Sequence, residues 1–381
     1  MIDFETRFGE LVNEHVDVGL GPRRPAPPLP DTTSTPRTSG PRSRRWLPLL
    51  AAACVAAAVG VALVVARASE HGAQPAQPRL ATWQRIHLPT DGRTLYGLTD
   101  VGFVDARHGW VVGRLDPATS GLVRLVFWTT ADAGRTWTLH TPQLPGGRVI
   151  EAVTFGDASH GWLAATRRRR VDIYGTADGG RTWSPQATLH GDVTDLTAVD
   201  TRHAWLFGNR GFVAATADGQ AWTQLPAPER SVPTVVDFLD PQRGWVVEAG
   251  SGHTYATADG GTSWAAVTNP PGTRFGPAAL EFVTPDAGYA VAGRRVFFTE
   301  DGGQSWIVQV SVAQRLTAVA FADARRGWAL GPAGGVRTTD AGRTWTPQQV
   351  SFGEVFHAAT QHCDTLALTA RWVYRYSSCS A

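Results

Sequence analysis

Lysine is missing from this chain of 381 residues, so all 35 basic residues are arginine. Charge of either sign is sparse, at 18% of residues, and the formal net charge is only +2. Bulk electrostatics therefore give nucleic acid no footing. Tyrosine is scarce, with six residues, and methionine occurs once. The eleven histidines are scattered singly, with no His-x-x-x-His or Cys/His cluster to hold a metal. No glycine loop has the form that cradles phosphate, and no cofactor is expected. Of three cysteines, Cys54 sits in an apolar run and reads as an inert packing residue. Cys363 and Cys379, sixteen residues apart, could be joined in an oxidising compartment, although spacing does not prove the bond.

Against these shortages stand 41 glycines and 15 tryptophans in a chain that is 43% hydrophobic. Many tight turns, each with an aromatic nearby, is the composition of a turn-rich all-β repeat protein.

The N-terminal part divides into segments. Residues 1–20 carry Ile2, Phe4, Phe8, Leu11, Val12 and Val16 at helical spacing between acidic residues. Such a segment could dock on a partner or a membrane surface, or fray without one. Residues 21–45, rich in Pro, Ser, Thr and Arg, read as a disordered linker. Residues 46–66 form 21 positions without a charge, enough to span a bilayer as one transmembrane helix at about 1.5 Å per residue. Arg42, Arg44 and Arg45 precede the run and only Arg67 directly follows it. The positive-inside rule then predicts a single-pass cell-membrane protein with a cytoplasmic N-terminus. A cleavable signal is the competing reading, disfavoured by the 45 residues that lead the run. Residues 67–79 are a short extracytoplasmic linker, and residues 80–381 the extracytoplasmic domain.

That domain repeats itself. Thr130-Ala-Asp132-Ala-Gly134-Arg-Thr-Trp137 returns as Thr176-Ala-Asp178-Gly-Gly180-Arg-Thr-Trp183, and again around Asp259, Asp301 and Asp340. A copy one residue shorter surrounds Asp218. Successive aspartates lie 46, 40, 41, 42 and 39 residues apart, the length of one four-stranded propeller blade. A second motif precedes each box: an apolar strand, a turn with Asp, then Gly-Trp and another apolar strand. It holds Trp110, Trp162, Trp205, Trp245 and Trp328, with Tyr289 substituting once. The box reads as a hairpin turn whose Asp accepts backbone N–H bonds, whose Gly allows positive φ and whose Trp packs back on the sheet.

Six units carry a box. A seventh, Val355-Phe-His-Ala-Ala-Thr, Thr365-Leu-Ala-Leu-Thr and Trp372-Val-Tyr-Arg-Tyr, has three strands and none. The stretch Thr82-Trp83-Gln-Arg-Ile86-His-Leu88-Pro89 resembles an outer strand and would complete that last blade, removing its open edge. The expected fold is an all-β seven-bladed β-propeller with Asp-box repeats, preceded by a single transmembrane helix.

These boxes with Gly-Trp units resemble the BNR/Asp-box propellers, and most of all the photosystem II assembly and stability factor family with its non-photosynthetic bacterial relatives. The resemblance covers residues 80–381. It implies a propeller that binds a protein client. Asp-box propellers also include sialidases and xyloglucanases, each with its own catalytic signature. A sialidase needs an early Arg-Ile-Pro motif, and the nearest string, Arg85-Ile86-His87, lacks the proline. No Tyr/Glu pairing is suggested by spacing. A glycosidase needs two carboxylates across a cleft. Outside the boxes and turns the main acids are Glu151, Asp172, Asp192, Asp195, Glu229, Asp237, Glu248, Glu281 and Glu354.

The exception to this quiet chemistry is Arg167-Arg168-Arg169-Arg170. It falls between the second and third strands of blade 2, on the rim opposite the box turns. As a solvated hairpin tip it needs no partner. As a binding site it suits an acidic protein segment or anionic lipid headgroups, because guanidinium forks match carboxylates and phosphates. The sequence thus points to a membrane-anchored assembly or scaffold platform with a protein client. A carbohydrate-active enzyme or glycan binder, and an envelope sensor signalling through the cytoplasmic tail, are the alternatives.

Overall fold

A computed structural model describes residues 83–116, 124–145, 148–228, 232–249, 251–348, 350, 352, 355–361 and 364–377. These hold 28 strands, β1 to β28 in chain order, arranged as seven antiparallel four-stranded sheets. Blade 1 is β2 (Leu95–Phe103), β3 (Gly109–Leu115), β4 (Arg124–Thr130) and β5 (Thr138–His140). Blade 2 is β6 (Val149–Phe155), β7 (Gly161–Arg167), β8 (Arg170–Thr176) and β9 (Ser184–His190). Blades 3 to 6 start with β10 (Asp195–Ala198), β14 (Pro233–Phe238), β18 (Ala279–Phe282) and β22 (Ala318–Phe321). Strands within each blade pair in sequence order from the axis outward, so they are called A to D below.

The seventh blade closes the ring. It consists of β26 (Val355–Gln361), β27 (Asp364–Thr369) and β28 (Val373–Ser377), with β1 (Gln84–Ile86) as its outer strand. Gln84, Arg85 and Ile86 pair with Arg375, Tyr374 and Val373. The expected closure by the first strand of the domain is therefore present, over three residues. Trp83, just before β1, lies edge-on to Trp328 of blade 6 and to Phe352, with ring centroids 5.0 and 4.9 Å apart.

The core is seven interblade clusters rather than one centre. The Gly-Trp motif supplies them by a recurring device. A phenylalanine ends strand A and pairs with the motif glycine at the start of strand B: Phe103 with Gly109, Phe155 with Gly161, Phe238 with Gly244, Phe282 with Gly288, Phe321 with Gly327. The ring lies so close over that glycine that a Cβ there would sit 2.5–2.7 Å from the Phe Cδ1 atom. In blade 3 the pair is Ala198 with Ala204, where the ring and the need for glycine disappear together. The aromatic of the preceding blade then stacks on the Phe: Trp205 on Phe238 at 3.8 Å, Trp245 on Phe282 at 3.5 Å, Tyr289 on Phe321 at 3.9 Å. Such stacked pairs add about 0.5–1.5 kcal/mol each beyond the area they bury.

Among the described residues no helix is long and apolar enough to cross a membrane. The transmembrane run 46–66, the segments 1–20, 21–45 and 67–79, and both Cys363 and Cys379 lie outside the described residues.

Candidate functional site

The sheet order fixes two opposite rims. One carries the A–B turns and the box turns; the other carries the B–C hairpins and the D–A connections. Their carboxylates and arginines are used in different ways.

On the box rim the acids serve the turns. In blade 2 the Thr176 hydroxyl donates to Asp178 Oδ1 at 2.8 Å and accepts the Gly180 N–H at 3.0 Å. Asp178 also accepts the Thr182 N–H at 2.9 Å and the Thr182 hydroxyl at 2.6 Å. These bonds, the Thr182 hydroxyl first, pull the Asp178 carboxyl down to about 2. Ser305 does the same for Asp301. The box threonine, given no role by the sequence reading, is thus the hub that ties the Asp to the Gly. In the A–B turns Asp105 accepts the N–H groups of Arg107 and His108 and meets His108 Nδ1 at 2.7 Å. Asp157 with His160 and Asp200 with His203 repeat this contact. The three histidines sit in turns, as their place before Gly-Trp or Ala-Trp predicts.

A second group of acids faces the axis. Asp100, Asp195, Asp237 and Glu281 lie on strands A of blades 1, 3, 4 and 5. Asp237 Oδ2 accepts the Phe282 N–H at 2.8 Å, and Glu281 Oε2 accepts the Phe321 N–H at 2.9 Å. Each therefore reaches the inner strand of the next blade. Burial pushes Asp100, Asp195 and Asp237 up to about 7, and the like charge of Asp100 adds to the effect at Asp195. Glu281 is raised well above the usual range, by burial and then by Asp237. His357 Nδ1, on β26, lies 3.3 Å from Asp100 Oδ1, and burial lowers its pKa. The sequence reading named Asp195, Asp237 and Glu281 only as unassigned acids and passed over Asp100. The available signal was an acid inside an apolar innermost strand, as in Val235-Val236-Asp237-Phe238.

On the opposite rim, Arg167 pairs with Arg170 across a two-residue turn, at the B–C position expected. Arg168 and Arg169 occupy it with φ of 52° and 63°. Both are in the left-handed region, where Asn-Gly is the preferred pair and a larger side chain costs about 1 kcal/mol or more per residue. All four side chains are exposed, and none has an ion-pair partner among the described residues. Asp172 and Arg148, just below, are already joined to each other at 2.5 Å, and Thr188 donates to Asp172 at 2.6 Å. Further exposed arginines stand on the same rim: Arg210 and Arg294 on B–C hairpins, Arg274 and Arg315 in D–A connections. The box rim also bears exposed arginines, Arg107, Arg135, Arg181, Arg202, Arg325 and Arg343, but there each stands in a turn with an aspartate.

Comparison with known proteins agrees with this architecture. The family described as Photosynthesis system II assembly factor YCF48 matches residues 134–274. The Photosystem II assembly protein Ycf48 of Thermosynechococcus vestitus is 26% identical over 283 residues, covering 60% of this chain and 76% of that protein. The structure of YCF48 bound to D1 peptide superposes with a TM-score of 0.63 at 19% identity, over 78% of this chain and 97% of the other. YCF48 from Cyanidioschyzon merolae gives 0.61 at 19% identity, over 78% and 99%. At such identity the two structures speak for the fold alone, while the family and sequence matches speak for the kind of repeat. The chain is a seven-bladed β-propeller whose repeats are similar to those of the photosystem II assembly factor family.

Proposed function

We propose that this protein is a membrane-anchored, extracytoplasmic platform whose arginine-bearing rim binds an acidic segment of a protein client during assembly or scaffolding. The observation that carries the reading is the turn at Arg168 and Arg169. An exposed tip under no other constraint would favour Asn-Gly, yet this one holds two arginines in left-handed backbone and presents four exposed guanidinium groups. Such groups bind carboxylates bidentately and with low reorganisation. A related propeller of similar fold has been captured with a bound peptide, the D1 peptide. The uncharged run 46–66 with Arg42, Arg44 and Arg45 before it supports the anchor and its orientation.

The test is a crosslinking pull-down of the full membrane-anchored chain, wild type beside Arg167–Arg170→Ala, with copurifying proteins identified by mass spectrometry. A discrete client captured by the wild type and lost in the variant is the expected result. Equal capture by both would remove the arginines from the contact.

A further inference from the structure

The two rims differ in apolar surface as well as in charge. Seven large hydrophobic side chains are exposed among the described residues. Five of them, Tyr96, Val149, Val232, Phe275 and Trp372, stand at a B–C hairpin, in a D–A connection or at the start of a strand A. The other two, Ile307 and Val308, lie on the outer strand of blade 5, and none is in a box turn or an A–B turn. Apolar exposure is thus collected on the rim that carries Arg167–Arg170.

Backbone geometry holds two of the five in place. Strand β2 is nine residues long and slips register twice against β3. The slip at Thr99 recurs in β6 at Glu151 and in β14 at Thr234, four positions before Phe103, Phe155 and Phe238. The slip at Tyr96 is found in neither of those strands. The extra residue of a bulge leaves the ladder, and Tyr96 is 57% exposed. The Leu98 N–H donates to the Ala370 carbonyl at 2.9 Å, which sets the blade 7 turn Ala370-Arg371-Trp372 beside this bulge. That turn is braced by Thr369, whose N–H donates to the Trp372 carbonyl at 2.9 Å and whose hydroxyl accepts the Trp372 N–H at 3.0 Å. Trp372 is held by its backbone while its side chain stays 37% exposed. Guanidinium groups accompany the exposed rings: Arg85 lies over Trp372 at 4.2 Å, and Arg274 over Phe275 at 5.4 Å. Three acids of this rim are engaged within the chain, Asp172 by Arg148, Asp91 by Arg93 and Glu151 by the Thr166 hydroxyl.

We propose that the client segment bound by the arginine rim is amphipathic. Its carboxylates meet the guanidinium groups, and its aliphatic or aromatic side chains seat on Tyr96 and Trp372 at the junction of blades 7 and 1. The proposal rests on the acidic-client reading and narrows it to a segment in which acidic and apolar side chains are interleaved. A purely acidic segment leaves the exposed apolar side chains in water, and a purely apolar one leaves the guanidinium groups without counter-charge. An anionic membrane surface meets these two needs less well. Where a guanidinium lies on a ring, as Arg85 does on Trp372, sinking the ring into hydrocarbon takes the charge with it. A peptide carboxylate can instead meet that guanidinium at its edge while a neighbouring side chain packs on the open part of the indole.

The test uses the full chain in mild detergent, with detergent alone as blank, and three fluorescein-labelled decapeptides read by fluorescence polarisation. The peptides alternate Glu with Phe, Glu with Ser, and Gln with Phe. The wild type binds the Glu/Phe peptide about tenfold more tightly than Glu/Ser, the scale of seating one apolar side chain. It binds Gln/Phe more weakly than Glu/Phe. Tyr96→Ser with Trp372→Ser brings Glu/Phe to the level of Glu/Ser and leaves Glu/Ser unchanged. Tyr96→Ser alone gives part of that loss and serves if the double variant lowers the melting temperature. Ile307→Ser with Val308→Ser, off the rim, changes neither, and Arg167–Arg170→Ala weakens both acidic peptides. Equal binding of Glu/Phe and Glu/Ser by the wild type, or a preference that survives the loss of Tyr96 and Trp372, overturns the inference and leaves the acidic-client reading standing. Failure of both acidic peptides to bind overturns the two together. Retention on phosphatidylglycerol vesicles, lost in Tyr96→Ser, would then assign the rim to a membrane surface.

Discussion

Trp83 meets Trp328 edge-to-face at 5.0 Å, linking the start of the propeller to its sixth blade across a sequence separation that spans nearly the whole domain. The same indole contacts Phe352 and Tyr376, so one side chain holds the first strand, blade 6 and blade 7 together. Strand β1 contributes only three paired residues to the closure, and Trp83 is its anchor.

Trp83 is partly buried, so Trp83→Ala is expected to destabilise the propeller by about 2 kcal/mol, below the range for fully buried aromatics. Chemical denaturation of the variant checks this. A loss below about 0.5 kcal/mol would mean that closure depends on the backbone pairing alone.

Arg375 makes a second closure contact. Its Nε donates to the Ala133 carbonyl in the blade 1 box at 2.7 Å, and its Nη2 pairs with Asp364 at 2.7 Å. Both side chains are about nine-tenths buried. Asp364→Ala leaves a buried guanidinium short of a partner and should cost about 3 kcal/mol, whereas Arg375→Met with Asp364→Leu should cost less than the single change. Melting temperatures of the two variants decide it, and equal losses would count against the pairing.

The arginine turn gives a prediction of opposite sign for stability and binding. Arg168→Asn with Arg169→Gly relieves left-handed strain at two positions and should raise stability by about 1 kcal/mol. The same double variant should capture less of the acidic client. Raised stability with unchanged capture would mean that Arg167 and Arg170 suffice for the contact.

The axial acids predict a pH dependence. Asp100, Asp195 and Asp237 are held at about 7 and Glu281 well above its usual range, so the folded ring keeps protons that the unfolded chain has released from about pH 4 upward. Raised folded-state values give stability that is complete below the unfolded pKa and lost as pH rises through the folded one. Stability should fall as pH rises from about 4 through 7, where the three aspartates ionise. Asp237→Asn should flatten that slope and add about 1 kcal/mol at pH 8. Urea titrations at pH 5 and pH 8 test both. A protein as stable at pH 8 as at pH 5 would show that the axial carboxylates ionise freely.

The sequence by itself determined the blades, because each blade is written in local chemistry. A box needs Thr, Asp, Gly and Trp within eight residues, and a Gly-Trp unit needs its Phe seven positions before the Trp; neither depends on a distant partner. Closure was legible for the same reason, since Trp83-Gln-Arg-Ile86 looks like an outer strand wherever it pairs. The B–C position of Arg167–Arg170 followed from counting strands. What only the tertiary structure decided lies between blades. Whether an acid such as Asp237 is wetted or desolvated depends on which inner strands enclose it. The gathering of separate arginines on one rim depends on the ring bringing together hairpins that are some forty residues apart in the chain. The close fit of the Trp110 indole over Gly102 is of the same kind, because that glycine reads as ordinary strand until the register sets it opposite the ring. Turn chemistry is local and therefore readable; desolvation, rim charge and interblade stacking are relations between residues that only the closed ring makes neighbours.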